Sequence, residues 1–389
     1  MNIILFDNQF RTNLLPFTYI RPISDIRVGI MTIKEKWEFL FNEEISDFTV
    51  DYLMDLYPLY LEDDNLFIAG NLIPNPLLLE AIQKLELGTA LTDSNGTLIA
   101  LRAGSPDQFQ SLDQFPKTIF SESYKAITEK HHIFQYNAYE IISDYQLLTH
   151  DRQSATLSSS NILIGDLKNL FIEEGVTIEA STINCSAGPV YIGQNAEIME
   201  GSNIRGPFAL LNDATLKMGA KIYGGTTIGP HCKVGGEICN VVMFGYSNKA
   251  HDGYLGNAVI GTWCNIGAGT VASNLKNDYS EVKQWNYATQ NYQKTGLQFC
   301  GLMMGDHSKC GINVSFNTGT VMGICCNVFD SNFQAVYIPS FSFGSPGKGY
   351  EKNYINKIIS AESAMMIRRN IEPNETYFDI IRRLYEKID

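Results

Sequence analysis

Cations are scarce in this 389-residue chain: 29 Lys and Arg stand against 42 Asp and Glu, a formal charge of −13. That balance supplies no field to hold a polyanion, so nucleic acid is not an expected partner. A small anion gripped by a local Lys or Arg and by backbone N–H groups stays compatible with it. No apolar run reaches the roughly 18 residues of a membrane span, and the opening MNIILFDNQFRTN has no basic region ahead of an apolar one. A cytoplasmic protein with no membrane segment and no secretory signal is the expectation. None of the eight Cys forms a C-x-x-C pair, and all lie from Cys185 onward. Disulfides and zinc therefore give way to small buried hydrophobes in a reducing compartment. His231, His251 and His307 are too dispersed for a three-His zinc centre, and no metal ligand is assigned.

What the chain does have is a period of six. Ile192, Ile198, Ile204, Leu210, Leu216, Ile222, Ile228 and Val234 are all aliphatic. Two places earlier stand Val190, Ala196, Ser202, Phe208, Ala214, Ala220, Thr226 and Cys232, small apart from Phe208. Neither 3.6 nor 2 generates this spacing, whereas a parallel β-helix does: each hexad is one short strand and a corner, and three hexads close a triangular coil. The register fails after Val234, resumes at Ala258/Ile260 and Cys264/Ile266, fails again over about Leu275 to Phe299, and returns at Met304, Cys310, Phe316, Met322 and Val328. Both gaps read as loops leaving a rigid scaffold, where binding groups are usually carried.

Residues 1–150 read as an α/β domain, with buried strands at Asn2–Phe6 and Leu66–Ala69 and a helix from Pro76 to Leu87. The polar, Ser-rich 151–160 is a linker, 161–350 the β-helix, and 351–389 a helical arm in which Asn374 is a candidate N-cap. Capping the open end of the coil is the simplest role for that arm.

Two stretches resemble a known family. Arg11, then Leu14-Leu15-Pro16-Phe17-Thr18, then Arg21-Pro22 resembles the first loop of sugar-phosphate nucleotidyltransferases; read without that likeness, it is a surface loop with solvated Arg side chains. Gly70-Asn71 resembles that family's metal-binding turn, and Asn137 its second metal-binding position. Asp7-Asn8-Gln9-Phe10 replaces the family's glycines, and Asn71 replaces a carboxylate. The second stretch runs from Ser247 to Asn277, with His251, Tyr254-Leu255-Gly256, Asn265-Ile266-Gly267-Ala268-Gly269-Thr270 and Ser273-Asn274. It resembles the acetyltransferase domain of the GlmU-like family, bifunctional makers of UDP-N-acetylglucosamine.

The resemblance implies a left-handed β-helix, a homotrimer, acetyl-CoA bound between coils, and transfer of its acetyl group to an amino-sugar phosphate such as glucosamine 1-phosphate. It implies His251 as general base oriented by Glu237, and Tyr254, Asn265 and Asn274 on sugar, phosphate or oxyanion. An imidazole suits the first task because its ordinary pKa lies near physiological pH, and neutral donors suit the second because they strand no charge before substrate arrives. The family's phosphate-gripping Lys is replaced by Cys239, for which Lys249 and Lys276 are the substitutes nearest in sequence, and Leu275 replaces a Tyr. Arg11, Arg21, Asn71 and Asn137 are the nucleotide-binding candidates; UTP or another NTP, and Mg²⁺, enter only if the N-terminal domain is active. A non-catalytic sugar-nucleotide sensor or scaffold is the competing reading.

Overall fold

The six-residue register folds as its pattern predicts. In the computed structural model, which describes residues 1–388, Ile192 pairs with Leu210 and Leu210 with Ile228, each step being one coil of three hexads. All eight aliphatic positions from Ile192 to Val234 are no more than 2% exposed, and their small partners two places earlier are buried as well. Together they fill the shaft of a parallel β-solenoid of about ten turns.

The first break in the register is a shortening rather than a loop. Ile228 pairs with Met243, Val234 with Lys249 and Met243 with Ile260, so the ladder continues across it. The missing corner residues are absorbed by two strands, Glu237–Gly245 and Tyr254–Thr262, which run around a corner side by side. Asn240 and Asn257 take the left-handed conformation at that bend, a geometry that asparagine tolerates better than most residues. The second break is a true excursion: Lys283–Asn286 and Asn291–Lys294 form an antiparallel hairpin.

The N-terminal sheet has the order Ser46–Phe48, Asn2–Phe6, Asn65–Ala69, Leu98–Ala103, Thr89–Asp93, Lys117–Phe120, with Leu98–Ala103 antiparallel to both neighbours. Its helices are α1 (Ile33–Phe41), α2 (Pro76–Gln83) and α3 (His132–Thr149). Thr32 and Glu35 form a capping box on α1, and Asn75 caps α2 with Pro76 at its first position. Helix α2 stops at Gln83, short of the expected Leu87, although Leu85 still buries its side chain beneath it.

This domain does not stand apart. Its core is continuous with the outward side chains Val242, Phe244, Val259, Met303 and Val321 of one solenoid face. On that face the inward residues Met243, Ile260, Met304 and Met322 alternate with them, so both sides of the strands are apolar. Helix α3 lies across the same face, where Ile141 and Tyr145 pack on Phe171, Tyr191 and Leu211 of earlier coils.

The C-terminal arm corrects an expectation. The open end of the stack is closed by strand Gly349–Lys352, which pairs antiparallel with Ser342–Ser345. Helices α4 (Ile355–Arg368) and α5 (Glu375–Lys387, with Asn374 as its N-cap) turn back along a solenoid corner instead of covering that end. They pack on Trp263, Cys325 and Phe341, and on Leu53 of the N-terminal domain. The face of α5 that carries Phe378, Ile381 and Leu384 joins this corner, α4 and Leu53 in one apolar cluster, which sets the direction of the arm.

Candidate active site

One outward column of the solenoid reads Lys233, Asn248, Asn265, Lys309, one residue per coil in ladder register. Each stands immediately before an inward residue, so the pleat directs its side chain outward. Helix α4 lies opposite and leaves a groove of about 660 Å³. Arg368 and Arg369 face the column across it, and Ala250, Ile266, Ile312 and Met365 supply apolar walls. No carboxylate lines this groove among the described residues. Arg369 donates to the His231 carbonyl (2.9 Å) and to Asn248 Oδ1 (2.7 Å), which fixes α4 against the coil. Lys309 is held by Glu362, whose other oxygen meets His307 Nδ1 at 2.6 Å. Burial, reinforced by Arg369, Lys217 and Arg368 and opposed by Glu197, pushes the Lys233 ammonium below its ordinary range, as expected where like charges converge.

His251 lies at one end of this groove, in the bend between Lys249 and Tyr254. Its ring has no protein partner among the described residues and is exposed. Asn265 lines the same groove and accepts from Asn248 at 3.4 Å. Beyond the His251 corner, on the adjoining face, Tyr254 OH accepts from Asn274 Nδ2 (2.9 Å), which also donates to Asn257 Oδ1 (2.7 Å). Burial, and then the neighbouring Cys239, push the Tyr254 hydroxyl upward. Glu237 is the ladder neighbour of Tyr254 and makes no hydrogen bond to His251 within the chain.

The two lysines proposed from sequence to replace the absent one do not reach the groove. Lys249 occupies an inward position in line with Val234, is 1% exposed, and donates to the His251 carbonyl at 2.5 Å. Lys276 is tied to the base of the excursion through the Glu281 carbonyl at 2.9 Å. The cations that do line the groove, Lys233, Lys309, Arg368 and Arg369, were missed. Lys233 and Lys309 could have been found by continuing the outward column through Asn248 and Asn265, whereas the arginines depended on where α4 packs.

The four N-terminal candidates do not converge on a cleft. Arg11 is held by Asp7 (2.5 Å) and by the Arg21 carbonyl (3.1 Å). Arg21 is buried against the solenoid, donating to Asp306 Oδ1 and Thr262 Oγ1 at 2.9 Å each and to the Phe17 carbonyl. Asn71 accepts from Asn8 (2.8 Å) and donates to the Ile127 carbonyl. Asn137 accepts from Gly29 N–H and donates to the Gly225 carbonyl and Thr227 Oγ1. Both Asn side chains are buried neutral amides already bonded within the protein, so they do not fit a hard Mg²⁺ ion, which prefers carboxylates and water.

Residues 3–153 match the family described as "Sugar nucleotidyl transferase". The bifunctional protein GlmU of Trichormus variabilis is 32% identical over 136 residues, 33% of this chain and 27% of that protein. Its namesake in Methanocaldococcus jannaschii is 29% identical over 121 residues, 31% of this chain and 27% of that one. The chain thus spans little more than a quarter of the length of these curated relatives. Among solved structures, the polySia specific acetyltransferase NeuO aligns over 54% of this chain and all of its own at 11% identity (TM-score 0.33). The Arabidopsis UDP-N-acetylglucosamine acyltransferase aligns over 53% and 77% at 13% identity (TM-score 0.23).

Proposed function

We propose, for a GlmU-like chain with a divergent N-terminal nucleotidyltransferase-like domain, that the solenoid is an acetyl-CoA-dependent N-acetyltransferase acting on an amino-sugar phosphate. One observation carries this reading: His251 stands at the end of a carboxylate-free groove walled by Lys233, Lys309, Arg368 and Arg369. Such a groove suits the phosphates of a CoA thioester, and its apolar walls suit the pantetheine arm. The sugar would lie across the corner on the side of Tyr254 and Asn274, which already form a hydrogen-bonded pair.

The sugar ammonium first loses one proton to solvent; His251 then takes a proton from the neutral amine as its nitrogen attacks the thioester carbonyl. The N–C bond forms, the C–S bond breaks, and CoA leaves as the thiolate, which regains a proton from the imidazolium. The Asn265 amide is the candidate donor to the oxyanion. Glu237, one strand away, orients His251 only after a rearrangement or through a second copy of the chain in a homotrimer.

The setting is taken to be cytoplasmic. All eight Cys are unpaired, and no helix among the described residues is long and apolar enough to cross a membrane. No nucleotidyl-transfer step is assigned to the N-terminal domain, whose candidate residues serve the domain interface and its own loops. The rival reading, a sugar-nucleotide sensor or scaffold, is favoured by the missing contact between Glu237 and His251. Incubation with acetyl-CoA, glucosamine 1-phosphate, UTP and Mg²⁺, with products identified by mass, separates the two. N-acetylglucosamine 1-phosphate that disappears in His251→Ala supports transfer. Ligand binding without turnover across a panel of amino sugars supports the sensor.

A further inference from the structure

A second cavity lies far along the chain from His251, where the start of α3 meets the excursion hairpin. Its volume is about 170 Å³, room for several waters or one tetrahedral oxyanion. On the domain side it is lined by Glu129, Lys130 and His131, and on the hairpin side by Gln284, Trp285 and Lys294. The polar groups here are unusual in being left over. Gln284 is 4% exposed, yet its Nε2 has no hydrogen-bond partner, while the ring of the neighbouring Trp285 stacks on Tyr337 at 4.3 Å. A stranded buried donor costs about 1–3 kcal/mol, so the Gln284 amide at this cavity calls for an acceptor.

The charged groups agree. Lys130 is buried and uses only part of its ammonium on the Asn13 carbonyl (3.1 Å). The Glu129 carboxylate is engaged by Asn13 Nδ2 at 3.1 Å, and Lys294 pairs with Glu281 at 3.2 Å. Burial, and then His132 and Lys130, push the His131 imidazole down to about 3, so it stays neutral and asks for no counter-ion of its own. Burial also lowers Lys130 to about 8, and an anion beside it would restore the charged form.

We propose that this cavity is a binding site for a small oxyanion, a phosphate or carboxylate group, which joins Gln284 of the hairpin to Lys130 of the N-terminal domain. Because the hairpin leaves the solenoid and Lys130 belongs to the other domain, the bound anion would clamp the excursion in place. The site is independent of the groove at His251, and its test does not involve acetyl transfer.

Tryptophan emission of the full-length protein is followed during titration with sodium phosphate, and separately with sodium acetate, at ionic strength matched by chloride. A saturable change is expected with at least one of the two, and whichever saturates identifies the chemistry. Trp285→Phe should remove the signal. The isosteric Gln284→Glu, which puts a negative charge in the cavity, and Lys130→Met should each weaken binding about tenfold or more. The bound anion should also slow proteolysis within 283–294. A linear response matched by chloride, or Gln284→Glu binding as tightly as the parent protein, would overturn the assignment. Should Lys130→Met fail to fold, the Gln284→Glu result alone decides it.

Discussion

Replacing Lys249 by Met separates the stability of the solenoid from the chemistry proposed for it. Lys249 stands in the inward column between Val234 and Ile266 and is 1% exposed. Burial, opposed by Asp252 and Cys310, lowers its ammonium from 10.5 to about 8. That fall corresponds to about 3 kcal/mol in favour of the neutral amine. The folded chain therefore binds fewer protons than the unfolded chain between about pH 8 and 10.5. Stability should rise with pH across that window, whereas below it the full cost of the buried charge is present and does not change with pH. A buried Met has similar volume and no charge to desolvate, but it gives up the bond to the His251 carbonyl, worth about 1 kcal/mol. Lys249→Met should thus be more stable than the parent by about 2 kcal/mol at pH 7. The difference should shrink or reverse by pH 10.5, as urea unfolding followed by circular dichroism would read. At the same time the bend that presents His251 loses its internal donor. CoA release, followed with a thiol reagent, should fall about tenfold, the rate equivalent of about 1.4 kcal/mol. Lower stability at pH 7, or a difference that does not change with pH, would refute the buried-ammonium argument. Unchanged turnover would refute the link between Lys249 and the His251 bend.

Other expectations follow from particular contacts. Arg21→Met strands Asp306, already buried with its second oxygen unpartnered, and should cost about 3–5 kcal/mol in urea unfolding, part of it recovered by adding Asp306→Asn. Arg368→Ala and Lys233→Ala remove groove cations rather than the base, so each should raise KM for acetyl-CoA several-fold with kcat nearly constant, and more steeply at low salt. Leu216→Ala opens a void in a fully packed shaft and should cost about 2–5 kcal/mol, with the melting temperature as readout. Glu362→Gln weakens the buried His307–Glu362–Lys309 network, and protease cleavage between α4 and the solenoid should accelerate while the N-terminal domain stays protected.

The solenoid was legible because its determinants are local and repeated. A hexad needs a branched aliphatic residue facing a narrow shaft and a small residue two places earlier, and the chain states this from Val190 to Val234 without exception other than Phe208, which the shaft accommodates. The register did not reach His251, which falls in its first break; the ladder pairing that sets Asn265 one coil from Asn248 came from the structure. A further signal was present and went unread: the runs Val241–Phe244, Ala258–Ile260 and Leu302–Met304 are apolar on both faces of their strands, which requires a cover. That cover is the N-terminal domain.

Arg21 shows where local reading ends. Beside Pro22, in a loop that resembles a nucleotide-binding segment, it looks like a phosphate ligand; its partner, Asp306, lies 285 positions away. Asn137 likewise finds Thr227 only because α3 crosses the solenoid face. The sequence by itself determined the coil, the order of its units and the residues offered at the His251 corner, since these depend on neighbours within one turn of the chain. Tertiary structure alone decided that the arm runs back along a corner, that its arginines complete a basic groove, and that the N-terminal polar residues hold two domains together. Those outcomes depend on which large apolar faces find each other, and a local pattern shows that such a face exists without naming what will cover it.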